Sequence, residues 1–339
     1  MLAVESLSLL LCMLCSVVIS KSAFDPREDK NLTAPDFFMI GAGKSSTTSL
    51  HELIVQHQEM CITSKFKEHH YFNTAARWNV GSADYLRKFK NRTGCVGGYT
   101  IDSTPAYYRI PAAPRNLQRS YSEEDLKKKK FILLIKEPVS REFSWFKHVV
   151  RYCQKTMLKA FKTHTPQTFR SHGRSVFGYK KRIACDPGEC GSLGCGDIPY
   201  NETTIQTPEV FLDSFQTYHG KGRVQLSDSA YILHIRDWLK VIKREQLFVI
   251  NSQTLYENTT DTMRRLSRFL GLKSDWGEKK LPHSNENTVL AAMPCKLHDK
   301  LAAYYEKHNA ELYAFLRQGG PESEPAFAEF RSTRDMCTD

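Results

Sequence analysis

The stretch that decides the fold is Phe38-Met-Ile-Gly-Ala-Gly-Lys-Ser-Ser-Thr-Thr-Ser-Leu50. Residues 37–40 form a short apolar run that ends at glycine, which is typical of a buried parallel strand. From Thr47 to about Gln56 the leucines and isoleucine recur with helical spacing. A strand, a glycine-bearing turn and a helix form the arrangement in which helix N-terminal amides bind phosphate. The stretch therefore predicts a phosphate site formed by Gly43, Lys44, Ser45, Ser46, Thr47 and Thr48.

The loop is not the phosphate loop of ATP- and GTP-hydrolysing enzymes. That loop requires a first glycine five residues before the Gly-Lys-Ser/Thr end, because this glycine permits the tight turn around the β-phosphate. With Gly43-Lys44-Ser45 as the end, the first glycine would fall at residue 38, which is Phe38 inside the predicted strand. The sequence thus argues against a nucleotide hydrolase.

Two more strand–helix units follow along the chain. Lys130–Ile135 predicts a strand ahead of a helix over Arg141–Val150, and Gln246–Asn251 predicts a strand ahead of a helix over Thr259–Leu270. Strands that alternate with helices predict an α/β fold with a mostly parallel central sheet and helices on both faces. A last helix is predicted over Lys296–Leu316.

These elements predict one domain over residues 35–318. We expect a stem over residues 22–34 before it and a loosely held tail over residues 319–339 after it. Residues 152–207 are rich in Gly, Lys, Arg and Cys, and we interpret them as an insertion. The spacing of Cys185, Cys190 and Cys195 lacks the C-x-x-C pairs of zinc sites, so we expect these cysteines and Cys153 to form disulfides.

The N-terminal segment indicates the secretory pathway. An apolar run from about Leu7 to Ile19 is shorter than a full membrane span, so residues 1–21 are interpreted as a signal peptide or as an uncleaved membrane anchor. Four N-glycosylation sequons agree with a lumenal location, as do ten cysteines, of which Cys12 and Cys15 lie in the leader. The sequons start at Asn31, Asn91, Asn201 and Asn258. We therefore expect the protein in the lumen of the secretory pathway, as a type II membrane protein or secreted.

The chain is basic, with a formal net charge of +11. In a secreted protein such a surface favours an acidic partner, a sulfated polysaccharide or an anionic membrane, over nucleic acid. A basic surface that serves solubility alone is the alternative.

Counted from Gly41, the loop resembles the 5′-phosphosulfate loop of sulfotransferases that use 3′-phosphoadenosine 5′-phosphosulfate (PAPS), with the pattern G-x-x-K-x-G-T-T-x-L. Lys44, Thr47, Thr48 and Leu50 match, and Ser46 stands where the family usually has glycine. The resemblance implies that Lys44 neutralises the bridging phosphate oxygen as the sulfuryl group departs, while Thr47 and Thr48 hold the 5′-phosphate.

The second strand–helix unit resembles the family's 3′-phosphate motif, a strand ending in R-D-P-x-x-R followed by a helix with a serine. Lys136 and Ser144, eight positions apart, take the places of the phosphate ligands, and Arg141 is the later arginine. Lysine in place of arginine keeps the cation but loses the bidentate fork, which predicts weaker donor binding.

Two further stretches resemble Golgi heparan sulfate N- and 3-O-sulfotransferases and the N-acetylgalactosamine 4-sulfate 6-O-sulfotransferase. They are Lys67-Glu-His-His-Tyr-Phe72 and Asp102-Ser-Thr-Pro-Ala-Tyr-Tyr108, with Ser103 in place of a family lysine. The resemblance implies that Glu68 is the general base for the acceptor hydroxyl, with His70 lining the site. A carboxylate suits this role if burial raises its pKa. A strand around Met60–Thr63 is expected to bring Glu68 to the same sheet edge as Lys44.

The resemblance thus implies a Golgi sulfotransferase that transfers a sulfuryl group from PAPS to a hydroxyl of an acidic polysaccharide and needs no metal. It leaves two alternatives open. One is a protein-tyrosine sulfotransferase, and the other is a non-catalytic basic glycan-binding protein on the same fold.

Overall fold

The computed structural model describes residues 34–61, 67–79, 81–89, 98–148, 226–274, 276–282, 293–321 and 327–338. The predicted leader, nearly all of the stem and the Cys-rich insertion with its four cysteines lie outside these ranges, as do the sequons at Asn31, Asn91 and Asn201. Within the described part of the chain, no helix combines the length and apolarity required to cross a membrane.

A four-stranded parallel sheet forms the centre of the fold, in the order β2-β1-β3-β4. Its strands are β1 (Phe37–Gly41), β2 (Ile101–Ser103), β3 (Lys130–Ile135) and β4 (Leu247–Asn251). Because every strand runs in the same direction, all four carboxyl ends meet at one edge of the sheet. That edge is where open α/β sheets place their ligands.

Helices surround the sheet and connect its strands. The helices are α1 (Thr47–Ile54), α2 (Ala75–Asn79), α3 (Ala83–Leu86), α4 (Ala112–Ser120), α5 (Glu123–Lys128), α6 (138–148), α7 (Tyr231–Trp238), α8 (Ser252–Glu257), α9 (Thr259–Leu270) and α10 (Cys295–Arg317). Short 3₁₀ turns cover Arg87–Phe89, Tyr107–Arg109, Leu226–Ser229, Arg244–Gln246 and Arg334–Met336. A two-residue strand pair, β5 (Met293–Pro294) with β6 (Cys337–Thr338), lies apart from the main sheet.

Alternate side chains of the strands point to opposite faces, and each face is covered. On one face, Phe38 and Phe131 pack in a cluster with Trp238 of α7, and Leu312 of α10 belongs to the same cluster. On the other face the packing partners come from α1 and α9, including Leu50 and Leu266. Strands β1, β3 and β4 are largely apolar on both faces because both faces are buried, which is the pattern of a parallel sheet. The predicted α/β fold with helices on both faces is confirmed.

Of the strand expected around Met60–Thr63, the structure describes Met60 and Cys61, and neither pairs with β1. Among the described residues, this segment forms one isolated parallel bridge between Met60 and Tyr99. The strand that pairs with β1 is β2, through Phe37–Ile101, Phe38–Asp102 and Met39–Ser103. Three residues are too few for a periodic signal, so the sequence pattern did not reveal this strand.

The expectation of a loosely held tail is wrong for residues 327–338, which we call the C-terminal strap. Phe327 and Phe330 of the strap pack against the main core. The side-chain amide of Asn251, at the end of β4, donates a hydrogen bond to the Ala328 carbonyl oxygen (3.0 Å). A disulfide joins Cys337 to Cys295 at the start of α10. The two aromatic residues and the cysteine anchor the strap, although the sequence of the tail contains several Pro and Glu residues.

Candidate active site

The predicted phosphate loop connects β1 to α1 at the carboxyl edge of the sheet. Helix α1 begins at Thr47, and its N-cap residue Ser46 makes no side-chain capping bond. The first amides of a helix lack carbonyl partners within it, and together with the helix dipole they favour an anion. Lys44 and Ser46 adopt left-handed backbone conformations, with φ of 70° and 67°. The loop therefore has the local structure of an anion site.

Side chains of two neighbouring helices donate hydrogen bonds to the backbone of the loop. The buried Arg141 side chain of α6 donates through Nε to the Gly43 carbonyl oxygen (3.0 Å). At the start of α8, the Ser252 hydroxyl donates to the Ser45 carbonyl oxygen (2.8 Å). Both carbonyls are thereby directed into the protein. Arg141, which the sequence resemblance placed in the 3′-phosphate motif, thus supports the other phosphate loop.

The second predicted phosphate site lies at the end of β3, the strand next to β1. Glu137 caps α6, because its carboxylate accepts hydrogen bonds from the Val139 amide (2.9 Å) and the Ser140 amide (2.7 Å). The Tyr231 hydroxyl accepts from the Lys136 amide and donates to the Lys136 carbonyl (2.7 Å). These contacts fix the turn between Lys136 and the helix that carries Ser144.

Lysine charges accumulate at this second site. Burial lowers the pKa of the Lys136 side chain, although the Glu137 carboxylate opposes that shift. Burial also lowers the pKa of Lys147, and the positive charge of Lys136 lowers it further. Lys147 follows Ser144 by three residues, so it lies on the same side of α6. The sequence reasoning assigned no role to Lys147, and the repulsion between the two ammonium groups would be relieved by a bound anion.

The predicted base lies beside the end of β2. The Glu68 amide donates to the Ser103 carbonyl oxygen (3.0 Å), which brings Glu68 to the carboxyl edge of the sheet. Glu68 and His70 both have positive φ, 67° and 53°. The His70 Nε2 atom lies 3.6 Å from Glu68 Oε2. The structure therefore places Glu68 and His70 together, at the edge to which the phosphate loop also belongs.

Lys67 connects the base to the phosphate loop. Its ammonium group donates to the Thr48 hydroxyl (3.1 Å), the Thr47 hydroxyl (3.5 Å) and the Glu68 carboxylate (2.9 Å). These three acceptors match the three N–H donors of a lysine. Sequence reasoning assigned Lys67 no role, because its contacts with Thr47 and Thr48 join residues about twenty positions apart. The available signal was a cation directly before the predicted base.

The condition that burial raises the Glu68 pKa is not met in this structure. Burial does act in that direction, but the nearby His70 imidazole and the Lys67 ammonium group outweigh it and lower the pKa to about 2. Glu68 is thus a carboxylate at neutral pH in the structure as it stands. It is able to accept a proton, but its two partners weaken it as a base.

The residues beneath Glu68 form a buried polar layer. Asp102 accepts hydrogen bonds from the hydroxyls of Tyr85 (2.8 Å), Tyr107 (2.8 Å) and Thr104 (2.6 Å). Ser103 is fully buried, and its hydroxyl is 2.8 Å from Nδ1 of His51 in α1. Ser103, at the position of a family lysine, therefore faces the protein interior.

In the part of the chain that the structure describes, no group of three or more His, Cys, Asp or Glu side chains is arranged to hold a metal ion. Positive charge near the phosphate loop is supplied by Lys44, Lys67 and Arg141.

Over residues 34–323 the chain matches the family described as the sulfotransferase domain. The chain belongs to the sulfotransferase family. The predicted resemblance is confirmed at this level.

The curated relatives are distant. The membrane-associated sulfotransferase kil1 of Dictyostelium discoideum is 25% identical over 329 residues, which is 86% of this chain and 67% of that protein. The bifunctional heparan sulfate N-deacetylase/N-sulfotransferase 1 of Caenorhabditis elegans is 21% identical over 308 residues. This match covers 84% of the chain but 30% of that longer protein.

A solved sulfotransferase from Alicyclobacillus acidocaldarius has the same fold. It superposes with a TM-score of 0.51 at 20% identity, over 84% of this chain and 96% of that structure. At this identity the comparison supports the fold of this sulfotransferase and does not assign its substrates.

Proposed function

We propose that this sulfotransferase transfers a sulfuryl group from PAPS to a hydroxyl of a glycan, with Glu68 as the general base. One observation carries the proposal. The loop after β1, the Lys136 turn after β3 and Glu68 beside β2 all lie at the same edge of one parallel sheet. The strands β2, β1 and β3 are direct neighbours, so the base and both phosphate sites are adjacent.

The residues present fit the two anionic ends of PAPS. The α1 amides, the Thr47 and Thr48 hydroxyls and Lys44 suit the 5′-phosphosulfate. Lys136 and Ser144 suit the 3′-phosphate, and the nearby charge of Lys147 adds to that site. When bound, PAPS supplies an activated sulfuryl group on a phosphate leaving group.

The protein groups act at the two ends of the transferred group. Glu68 accepts the proton of the acceptor hydroxyl as the new bond between the acceptor oxygen and sulfur forms. The bond between sulfur and the bridging phosphate oxygen breaks, and its electron pair stays on that oxygen. Lys44 neutralises the charge that develops there.

The proposed acceptor is an acidic, glycosaminoglycan-like polysaccharide in the Golgi lumen. The net charge of +11 favours such an acceptor. Two observations agree with the compartment: Cys295 and Cys337 are paired, and the Asn258 sequon is exposed at the start of α9.

The test is sulfate transfer from radiolabelled PAPS to a panel of acceptors. The panel contains desulfated glycosaminoglycans of each backbone type and tyrosine-containing acidic peptides, and Lys44→Ala serves as the control without the loop cation. We expect label on at least one polysaccharide, and none with Lys44→Ala. Label on the peptides alone would indicate a protein-tyrosine sulfotransferase, whereas polysaccharide binding without transfer would indicate a glycan-binding protein.

A further inference from the structure

Lys67 occupies the position between the two halves of the proposed reaction. Its ammonium group contacts two hydroxyls of the phosphate loop on one side and the Glu68 carboxylate on the other. Its side chain is 15% exposed, whereas that of Glu68 is 45% exposed. The lysine is therefore held in place by the protein, and the carboxylate is the more accessible partner.

The charges around this pair are unequal. Lys67 and His70 both lie close to Glu68. The positive charge of Lys67 also acts on the imidazole of His51 in α1. Burial and the Lys67 charge lower the His51 pKa to about 4, so His51 is neutral at physiological pH. Glu68 is thus the single anion among the groups named here. A phosphosulfate at the Thr47 and Thr48 hydroxyls would bring more negative charge to Lys67 than one carboxylate does.

We propose that Lys67 is a donor-binding residue that exchanges its Glu68 contact for the phosphosulfate of PAPS, and thereby makes Glu68 available to the acceptor. The inference rests on the proposed function. The Lys67 contacts with the Thr hydroxyls position the ammonium group at the place where the 5′ end of the donor is expected. Donor binding then removes a cation from Glu68, and a carboxylate that loses a nearby cation becomes a stronger base.

This arrangement places donor binding before proton removal by Glu68. Before the donor binds, Glu68 is paired and is a weak base. Once Lys67 turns to the donor, Glu68 is released next to the group that is to be transferred. The coupling is reciprocal. Because donor binding makes Glu68 a stronger base, neutralising Glu68 must in turn favour donor binding.

The decisive experiment is calorimetric binding of 3′-phosphoadenosine 5′-phosphate, which has both phosphates but no sulfuryl group. Lys67→Met should weaken binding about tenfold or more, because a charge-assisted contact is lost. Glu68→Gln should strengthen binding several-fold, because the competing carboxylate is gone. The loss of nucleotide affinity caused by Lys67→Met should be larger in the Glu68→Gln background than in the wild type. In that background the Glu68 carboxylate no longer competes with the nucleotide for Lys67.

Lys127→Met is the matched control. Lys127 is also paired with a glutamate, Glu123, at 2.6 Å. It lies in α5, ahead of β3, at the opposite edge of the sheet. Its substitution should leave binding unchanged. Thermal unfolding reports whether each variant folds, and Lys67→Gln replaces Lys67→Met if that variant does not.

A pH profile adds a readout that a purely structural role would not change. In the donor-free protein, loss of the Lys67 cation raises the Glu68 pKa, so the acid limb of kcat/KM for PAPS should move to higher pH. Lys67→Arg should restore the wild-type position of that limb.

The outcomes separate the two proposals. Unchanged binding in Lys67→Met, or equal losses in both backgrounds, would overturn the role of Lys67 and leave the sulfotransferase reaction standing. A wild-type protein that neither binds the nucleotide nor transfers sulfate from PAPS would overturn the proposed function itself.

Discussion

At Ser46 the backbone adopts a left-handed conformation that a side chain disfavours. The same holds for Lys44, Glu68 and His70, and within the described residues these four are all the non-glycine residues with positive φ. Such conformations cluster at functional sites, where the surrounding structure imposes them. Lys44 and Ser46 lie in the phosphate loop, Glu68 is the proposed base, and His70 lies beside it. The glycine that related loops have at the Ser46 position is explained by this conformation.

Substitutions of Ser46 should separate backbone strain from the side-chain contact. Ser46→Gly relieves the strain, so we expect the free energy of unfolding to stay the same or to rise by up to about 1 kcal/mol. Ser46→Val places a β-branched residue at positive φ and should lower it by more than about 1 kcal/mol. Both variants lose the hydrogen bond from the Ser46 hydroxyl to Tyr256, so their difference reports the backbone. Chemical denaturation measures it, and equal stabilities would contradict the explanation.

Substitution of Glu68 tests the assigned base. Glu68→Gln retains the size of the side chain and its ability to accept a hydrogen bond from Lys67, but it cannot take up a proton. We expect the rate of sulfate transfer to fall by about 10²-fold or more. Single-turnover kinetics with saturating PAPS isolates the chemical step from donor binding. If the variant keeps the full rate in that measurement, Glu68 is not the base, and His70 becomes the next candidate.

At the scale of elements, the sequence correctly predicted the strands and helices that have a strong local pattern. β3 and α9 have the predicted bounds, and β1 and β4 differ from the prediction by one residue. These are buried parallel strands and a well-capped helix. Lys67 and β2 were missed for a different reason. The three-residue β2 is defined by its pairing with β1, and the Lys67 contacts are tertiary contacts with α1, so neither has a periodic pattern.

The junction between β1 and α1 allows a matched pair of glycine substitutions. A Cβ atom on Gly41 would lie 2.6 Å from Cδ1 of the buried Tyr108 ring, whereas one on Gly43 would lie 3.5 Å from Trp145. Gly41→Ala should therefore lower the free energy of unfolding by about 1–3 kcal/mol. Gly43→Ala should leave it within about 0.5 kcal/mol of the wild type.

Thermal and chemical unfolding of the two variants checks this prediction. Gly43→Ala then provides a folded protein for measuring how the loop responds to an added methyl group when 3′-phosphoadenosine 5′-phosphate binds. Similar destabilisation by both substitutions would contradict the assigned packing of Gly41 under Tyr108.

At the scale of the whole molecule, the C-terminal strap links distant parts of the sequence to the proposed donor site. The Thr333 hydroxyl donates to Glu137 (3.1 Å), which caps the helix that carries Ser144. Phe330 contacts the Tyr231 ring, whose hydroxyl binds the backbone of Lys136. Sequence alone could not show these links, since each joins residues far apart in the chain.

The strap is not densely packed along its length. It borders a cavity of about 740 Å³ that is lined on the other side by α10, including Tyr305 and Tyr313. Residues 331–336 of the strap are exposed or half-buried. The disulfide between Cys295 and Cys337, which are 42 residues apart, is therefore expected to contribute strongly to holding it.

Removal of this disulfide should reduce both stability and donor binding. Cys337→Ser should lower the free energy of unfolding by about 2–4 kcal/mol, because the closed loop gains freedom in the unfolded chain. It should also weaken binding of 3′-phosphoadenosine 5′-phosphate several-fold, since Thr333 and Phe330 support the Glu137 cap and Lys136. Cys295→Ser and the double variant are the controls, and because all three variants break the same bond, their effects should be equal and not additive. Calorimetry and thermal unfolding under non-reducing conditions provide both readouts. Full stability with unchanged nucleotide affinity would show that the strap does not support the donor site.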